Sequence, residues 1–437
     1  MDRSKGYPVV LTSDRTLMSE YGGGIFLGFS ACLPQGTVPD SIYYSMLCPP
    51  IAANKDGSVD VAPCGLRKIE AALLSRGFSP DEVIVAHPEA LAKVVGPATK
   101  IIGCTENDPL GIGPATSTFT QIMGGEPQMK LRFQKLLHDP AVLRYRPKIV
   151  TGGPGAWQLV NPEARRNAGV DCVVVGEAEN VVAPLFRRIM AGEEVPGLVM
   201  GKVTPPEQIP ELRHATVDGL VEIARGCGRG CEFCVPQLQK FRSIPLANIC
   251  HDVDTNVRAG RQPCLHAEDV MRYGARTIAV DEERVVGMFR AVRERSGVTK
   301  VSVSHFALAS VASAPAAVQR ITEILHLDKH HWLGGQTGVE TASPMLMAKY
   351  MSGKCRPFTC EQWPETVVQG FQVLEQNHWV PCATIIMGLP GEQERDVLMT
   401  TELIDRLRGF RSLVVPLFFV ATGELNDGCS SFGTKDM

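Results

Sequence analysis

Three cysteines lie close together near the middle of the chain, in a loop that glycines make flexible. Cys227, Cys231 and Cys234 have the spacing C-x3-C-x2-C and directly follow an apolar predicted strand. Such a loop can wrap three thiolates around one inorganic group, because glycine allows backbone conformations that other residues avoid. The pattern therefore predicts that one strand ends at an inorganic centre.

The number of thiols indicates which inorganic group they hold. A structural zinc site normally has four protein ligands, and the next candidates, Cys250 and His251, fall in a predicted helix well downstream. A ferredoxin-type cluster also takes four cysteine ligands. Three ligands leave one iron open to exchange. The spacing therefore favours an iron-sulfur cluster with an open position over zinc and over a chance grouping.

The composition limits the possible partners. The chain has 437 residues, 44% of them hydrophobic and 21% charged, with a net charge of -3, which argues against general electrostatic binding to nucleic acid or an anionic membrane. No apolar run approaches the roughly 20 residues of a membrane helix, and the first residues lack the apolar part of a signal peptide. We expect a cytoplasmic protein with no membrane partner and no nucleic-acid partner.

The first half alternates short β-branched runs with helical patterns, which is typical of βαβ units on a parallel sheet. The candidate strands are residues 8–12, 82–86, 100–103, 148–150 and 171–175. Glycines follow several of them, where a missing Cβ lets backbone amides approach a ligand. The pattern predicts a Rossmann-like, doubly wound sheet over residues 1–195, with ligands at the carboxyl ends of its strands.

Residues 196–218 carry four prolines and little periodicity, so we predict an interdomain linker there. Strand and helix patterns then resume over residues 219–437. The candidate strands are residues 220–224, 262–266, 300–304, 332–337, 380–387 and 412–420. Six strand and helix units predict an incomplete (β/α)6 barrel, whose active site lies at the carboxyl ends of the strands.

The segment CGRGCEFC, with Phe233 just before the third cysteine, resembles the signature of the radical S-adenosylmethionine superfamily. The resemblance implies that Cys227, Cys231 and Cys234 hold a [4Fe-4S] cluster, whose open iron binds the amino and carboxylate groups of S-adenosylmethionine. One electron from the cluster then cleaves the carbon-sulfur bond and gives a 5'-deoxyadenosyl radical. It also implies a one-electron reductant, such as a flavodoxin or ferredoxin, as a partner.

Family members bind S-adenosylmethionine at successive strand ends, and this chain has similar segments in the same order. The segments after its second, third, fourth and fifth barrel strands are 266–269, 302–305, 338–343 and 388–392. By this match the residues expected to bind S-adenosylmethionine are Glu268, Ser302, Ser304, Glu340 and Gly388. Ordinary turn and helix-capping chemistry is the alternative for each of them.

A glycine-punctuated doubly wound domain before a radical domain resembles the cobalamin-binding branch of the superfamily. The loops 107–111, 151–155 and 175–179 resemble those that line the corrin in that branch. By this match the cobalamin-binding residues are Asp108, Gly111, Gly152, Gly153, Gly176 and Glu177. The Asp-x-His-x-x-Gly pattern that supplies imidazole to cobalt is absent, so cobalamin binds without a histidine ligand, or the domain keeps only the fold.

The predicted fold is therefore α/β, with a Rossmann-like cobalamin-binding-type domain before an incomplete radical S-adenosylmethionine barrel. The predicted reaction is methyl transfer from methylcobalamin, which the first domain presents to the barrel, to an unactivated carbon. One alternative is a radical enzyme without cobalamin that performs rearrangement, oxidation or sulfur insertion. Another is a metal-binding protein without catalysis. The sequence does not indicate the substrate.

Two features of the carboxyl-terminal part complete the sequence predictions. Cys355, Cys360, Cys382 and Cys429 are irregularly spaced, which favours buried thiols over an auxiliary cluster. The chain stops soon after the sixth candidate strand, whereas relatives with this architecture usually continue, so a truncated reading frame is expected.

Overall fold

The structure is a computed structural model that describes residues 5–21, 27–234, 240–425 and 429–437. The chain divides into two compact units after Asp218. The first unit contains the described residues up to Asp218, and the second contains the described residues from Gly219 onward. No helix in the described ranges is long and apolar enough to cross a membrane.

The first unit is built from short strands that alternate with helices. Its strands are β1 (Val9–Ser13), β2 (Val61–Ala62), β3 (Val83–Val85), β4 (Ile101–Thr105), β5 (Lys148–Gly152), β6 (Cys172–Val175), β7 (Leu198–Met200) and β8 (Ala215–Thr216). Its helices are α1 (Asp40–Ile42), α2 (Cys64–Ser75), α3 (Pro114–Met123), α4 (Gln128–Leu137), α5 (Pro140–Tyr145), α6 (Pro162–Asn167) and α7 (Val182–Met190).

Six strands of the first unit form one parallel sheet in the order β3-β1-β4-β5-β6-β7. Both faces of this sheet are buried, because Val9 and Leu11 of β1 pack into one apolar cluster while Val10 packs into a second. Strand order reverses at β1 and β4, which makes the carboxyl edge between them the topological switch point where sheets of this kind bind ligands.

Part of the segment predicted as a linker belongs to this sheet. Strand β7 pairs in parallel with β6, Val173 lying opposite Leu198. Strand β8 pairs with β2 in a separate two-stranded sheet of the same unit. The domain boundary that the sequence predicts near residue 218 stays a prediction. Residues 198–200 of the predicted linker form an edge strand of the first unit's sheet.

The second unit repeats the alternation of strands and helices. Its strands are β9 (Leu220–Glu222), β10 (Ala224–Arg225), β11 (Arg242–Ser243), β12 (Cys264–His266), β13 (Ser302–Val303), β14 (Leu333–Glu340), β15 (Trp379–Met387) and β16 (Leu413–Phe418). Its helices are α8 (Leu246–Arg258), α9 (Glu282–Arg293), α10 (Leu308–Ser313), α11 (Pro315–Leu325), α12 (Pro344–Tyr350), α13 (Trp363–Gln376) and α14 (Glu394–Leu407).

The parallel strands of the second unit lie side by side in chain order. Strands β9, β12 and β13 form one sheet, and β14, β15 and β16 form another. A parallel bridge between His305 and Gln336 joins the end of β13 to β14. The prediction of an α/β protein with parallel sheets is confirmed, and the carboxyl ends of these strands follow one another along one edge.

Candidate functional site

The three cysteines follow the first strands of the second unit. Strand β10 ends at Arg225, and the loop that begins at Gly226 carries the thiols. Gly226, Gly228 and Gly230 have φ values of 70°, 65° and 69°, in the left-handed region that favours glycine. These glycines therefore allow the chain to bend repeatedly between the strand and the thiols.

The thiols of this loop are sheltered from solvent to different degrees. Cys231 is buried, whereas Cys227 and Cys234 are partly exposed. Burial, together with the charges of neighbouring cysteines of the loop, raises the pKa of Cys231 to about 11 and that of Cys234 to about 12, although the charge of Lys354 opposes the shift. The thiols are thus close enough to interact electrostatically.

The donor set fits an iron-sulfur cluster better than a single metal ion. Within the described residues, no group of three or more His, Cys, Asp or Glu side chains is arranged to hold one ion. Thiolates on a cluster bind separate irons and need not converge on a single centre, and thiolate is the usual protein ligand of such clusters.

Arg229 lies between Cys227 and Cys231 in the sequence, and its buried side chain holds the loop against the rest of the second unit. Its Nη1 donates to the carbonyl oxygens of Gly353, Lys354 and Arg356, at 3.2, 3.0 and 3.0 Å. Its Nη2 donates to Oδ2 of Asp269 at 3.1 Å and to Oγ of Ser310 at 2.8 Å. The Ser310 hydroxyl in turn donates to the same carboxylate at 2.7 Å.

Backbone atoms of the cysteine loop are held by further segments of the second unit. The amide of Glu232 donates to the carbonyl of Tyr350 at 2.9 Å. The hydroxyl of Thr422 donates to the carbonyl of Phe233 at 2.6 Å, and Arg272 donates to the carbonyl of Cys227. The loop is therefore fixed by residues that come from distant parts of the sequence.

An ion pair lies beside the cysteine loop, at the end of β14. Nζ of Lys354 is 2.7 Å from Oε1 of Glu340, and the hydroxyl of Thr384 donates to Oε2 at 3.1 Å. Burial alone lowers the pKa of Lys354, but the charges of Glu340 and Cys231 outweigh it, so the pKa is raised and the ammonium stays charged. Glu340, expected to bind the cofactor, already has a cationic partner.

This ion pair is closely packed, and the backbone at Glu340 is strained. Glu340 itself has a φ of 62°, which is rare for a residue with a side chain. A Cβ on the neighbouring Gly338 would lie only 1.8 Å from Oε1 of Glu340. Such strain is concentrated at functional sites and persists where surrounding contacts enforce it.

Polar side chains gather where β12 and β13 end. Nδ1 of His266 and Oγ of Ser304 are 2.9 Å apart, and the rings of His266 and His305 meet edge to face at 5.9 Å. The charge of Glu268 acts on both His305 and Cys234, which places this carboxylate near the cysteine loop. Ser302 lies within β13, partly exposed.

Gly388, expected to bind S-adenosylmethionine, is covered by the last described segment. It has a φ of 82°, and a Cβ there would lie 2.0 Å from the ring of Phe432. Its amide donates to Oε2 of Glu392 at 2.7 Å. Residues 388–392 therefore form the ordinary turn that was the alternative to S-adenosylmethionine binding. The ring of Phe432 fills the space beside Gly388.

The predicted cobalamin residues of the first unit lie at the carboxyl ends of adjacent strands. Asp108, in the loop after β4, is buried, and its carboxylate accepts bonds from the amides of Ile112 and Gly113 and from Nε2 of Gln158, the last at 2.6 Å. This carboxylate shapes its own loop. A Cβ on Gly111 would lie 2.4 Å from Pro127.

The loops after β4 and β5 are in direct backbone contact. The amide of Glu106 donates to the carbonyl of Gly152 at 3.0 Å, and a Cβ on Gly153 would lie 2.8 Å from the Glu106 backbone. Beyond β6, Gly176 has a φ of 93°, and Oε2 of Glu177 accepts from the amide of Thr204 at 2.8 Å. These glycines permit close approach of backbone to backbone.

A buried pair of carboxyl groups, which the sequence did not reveal, lies at the switch point between β1 and β4. The amide of Asp14 donates to Oε1 of Glu106 at 3.0 Å, and the Asp14 carboxyl group lies close enough for its charge to act on Glu106. Burial raises the pKa of Glu106 well above its usual range, and the charge of Asp14 raises it further. Glu106 therefore holds its proton to a higher pH than a solvent-exposed glutamate does.

The fold is similar to those of two solved radical S-adenosylmethionine enzymes. The radical S-adenosylmethionine methyltransferase TsrM from Kitasatospora setae, solved with cobalamin and a [4Fe-4S] cluster, superposes with a TM-score of 0.63 over 96% of this chain and 77% of that one, at 14% identity. The cobalamin-dependent S-adenosylmethionine radical enzyme OxsB, in its apo form, gives 0.54 over 91% of this chain and 51% of that one, also at 14% identity.

Sequence comparison finds more limited relatives. The tRNA-2-methylthio-N(6)-dimethylallyladenosine synthase of Desulfosudis oleivorans is 25% identical over 205 residues, which cover 44% of this chain and 39% of that protein. The enzyme of the same name from Magnetococcus marinus is 26% identical over 215 residues, 46% of this chain and 44% of that protein. The match thus spans less than half of each relative, and no family model matches.

The comparisons bear out the resemblance seen in the sequence. The neighbours are radical S-adenosylmethionine enzymes, and they bind the cofactors that the resemblance implied: cobalamin and a [4Fe-4S] cluster in one TsrM structure, and an S-adenosylmethionine analogue with tryptophan substrate in another. The individual site residues of this chain stay predictions.

Proposed function

We propose that this protein is a radical S-adenosylmethionine enzyme that transfers a methyl group to an unactivated carbon with the help of cobalamin. The observation that carries the proposal is the position of the Cys227, Cys231 and Cys234 loop, after the first strands of a fold shared with TsrM. When bound, the cluster would supply one electron to S-adenosylmethionine, and cobalamin would supply the methyl group.

The residues of the second unit have distinct proposed tasks. Cys227, Cys231 and Cys234 hold the cluster, and Arg229 keeps their loop in place through its bonds to three backbone carbonyls. The pair of Glu340 and Lys354 presents opposite charges beside the thiols, as suits a zwitterionic amino acid group. Glu268, Ser302, Ser304 and Gly388 complete the proposed S-adenosylmethionine residues at the neighbouring strand ends.

The first unit is the proposed cobalamin domain. Its parallel sheet reverses strand order between β1 and β4. The proposed cobalamin-binding residues lie at the carboxyl end of β5 and in the loops after β4, β5 and β6: Asp108, Gly111, Gly152, Gly153, Gly176 and Glu177. His87 is buried at this edge and its Nδ1 accepts from the amide of Glu89, so the proton of the neutral ring is on Nε2. This tautomer has no free lone pair at Nε2 to offer to cobalt.

The proposal is tested with anaerobically reconstituted full-length protein. It is incubated with hydroxocobalamin, desalted, examined by absorption spectroscopy, then reduced in the presence of S-adenosylmethionine and assayed for 5'-deoxyadenosine. We expect retained corrin bands, a broad cluster shoulder and 5'-deoxyadenosine release. The matched control replaces all three loop cysteines by alanine and should lose the shoulder and the product. Release of 5'-deoxyadenosine by that triple variant would exclude the mechanism.

A second candidate function follows from the sequence relatives. Those enzymes are named for the synthesis of a methylthio group on tRNA, so a cobalamin-free radical enzyme that inserts sulfur is the alternative. A cluster shoulder and 5'-deoxyadenosine without corrin retention would favour it. If the desalted protein shows neither cluster nor corrin but retains zinc, the chain is a metal-binding protein without this chemistry.

A further inference from the structure

Two cysteines outside the cluster loop come into contact in the segment after α12. The Sγ atoms of Cys355 and Cys360 are 3.5 Å apart, and Sγ of Cys355 also donates to the carbonyl of Ser352 at 3.1 Å. Their irregular spacing in the sequence favoured buried thiols over an auxiliary cluster and gave no sign of a contact between them. The structure instead pairs them, because the chain turns back on itself between residues 356 and 359.

The two thiols differ in their access to solvent. Cys355 is buried, with 1% of its surface exposed, whereas Cys360 is partly exposed. Burial, together with the hydrogen bond to Cys360, raises the pKa of Cys355 to about 12. A reagent in solution therefore reaches Cys360 before Cys355. A partly exposed thiol beside a buried one is typical of a reactive cysteine with a resolving partner.

We propose that Cys355 and Cys360 are a redox-active dithiol that low-molecular-weight disulfides convert reversibly into a protein disulfide. The Cys360 thiolate attacks one sulfur of the small disulfide, whose S–S bond breaks and releases one small thiol. Cys355 loses its proton to water, attacks the Cys360 sulfur and releases the second small thiol. The protein gives up two electrons and two protons, and the small disulfide is reduced to two thiols.

The position of this dithiol connects it to the cysteine loop. The carbonyls of Gly353, Lys354 and Arg356, on either side of Cys355 in the sequence, accept hydrogen bonds from Arg229. A disulfide between Cys355 and Cys360 closes a short ring that contains Arg356. Oxidation thus restrains part of the segment that holds Arg229.

One tryptic peptide reports on the dithiol and carries its own control. Cleavage after Lys354 and Arg395 releases residues 355–395, because the bond after Arg356 precedes Pro357 and resists trypsin. This peptide contains Cys355, Cys360 and Cys382, and Cys382 is a buried thiol of strand β15. The full chain is equilibrated without oxygen in mixtures of reduced and oxidised glutathione, quenched with acid, denatured and alkylated.

We expect the peptide to carry three alkyl groups in reducing mixtures and one, on Cys382, in oxidising mixtures, with an internal disulfide in place of the other two. Three alkyl groups at every ratio, or glutathione on Cys360 with Cys355 still alkylated, would overturn the proposal. This alkylation pattern is measured on the wild-type protein and needs no variant. The reaction needs no cluster, S-adenosylmethionine or corrin, so it is independent of the proposed function.

Two single variants test the order of the steps. Cys355→Ser should accumulate glutathione on Cys360, because no inner thiol remains to release it. Cys360→Ser should leave Cys355 alkylated at every ratio, since the buried thiol is shielded from the reagent. Glutathione on Cys355 in the second variant would contradict the assigned order, and thermal unfolding of both variants checks that they are folded.

Discussion

Arg229 and Asp269 form an ion pair from which water is almost completely excluded, with Nη2 and Oδ2 3.1 Å apart and side-chain exposures of 3% and 0%. The pair joins the cysteine loop to the segment after β12, and Asp269 also accepts from the amide of Ala307 at 3.1 Å. Since Arg229 lies between two proposed cluster ligands, the position of the loop depends on this contact.

Removal of Arg229 should destabilise the protein and impair cluster retention. Arg229→Met leaves the buried Asp269 carboxylate without its cationic partner, which costs about 3 to 5 kcal/mol of folding free energy. We expect a lower urea midpoint and less iron per chain after reconstitution. The exposed pair of Arg320 and Glu283 is the control, because Arg320→Met there should change stability by less than about 1 kcal/mol. Equal effects at both sites would contradict the assigned role.

The charge of Lys354 should stabilise the folded protein through its ion pair with Glu340. Lys354→Met leaves the largely buried Glu340 carboxylate unpaired, so we expect a loss of about 3 to 5 kcal/mol in unfolding free energy. Combining it with Glu340→Gln should restore part of that loss. Lys349→Met, at a lysine outside the ion pair, is the control. Additive effects in the double variant, measured by urea unfolding, would show that the two groups do not interact.

Glu106→Gln should stabilise the protein near neutral pH. The raised pKa of Glu106 means that folding takes up a proton there, so the stability this group contributes is full below its ordinary pKa of 4.5 and falls as the pH rises toward the folded-state pKa. Glutamine needs no proton and can still accept from Asp14.

We expect this substitution to increase the unfolding free energy near neutral pH, because the wild-type carboxyl group must take up or keep a proton in its buried site whereas the amide need not. The gain should shrink as the pH approaches 4.5. Urea unfolding across this pH range measures it, with the exposed Glu207→Gln as the control. A gain that does not depend on pH would contradict the assigned protonation.

Gly353→Ala should disturb the cysteine loop by steric contact. A Cβ at this position would lie 1.9 Å from the carbonyl oxygen of Arg229, so one of the two backbones must move. We expect a loss of more than about 1 kcal/mol in stability together with lower iron content. Gly287→Ala in helix α9, where a Cβ meets nothing within 4 Å, should instead be neutral or stabilising. Thermal unfolding and iron analysis compare the two.

The repeating α/β pattern was predictable where strands are apolar and bounded by turns. The predicted strands at 8–12 and 171–175 correspond to Val9–Ser13 and Cys172–Val175. Helix Pro114–Met123 was missed because its threonine-rich sequence has weak helix propensity. Strand Leu198–Met200 was missed because three residues in a proline-rich stretch form a strand only by pairing with β6.

The sequence by itself determined the features that depend on neighbouring residues: the alternation of strands and helices, the cysteine spacing and the glycines that allow the loop to bend. Only the tertiary structure decided which distant side chains meet. Asp269 is 40 residues from Arg229, and Glu106 is 92 residues from Asp14. Local spacing limits which residues share a turn or a strand face, whereas these contacts depend on strand order and on the paths of the loops between strands.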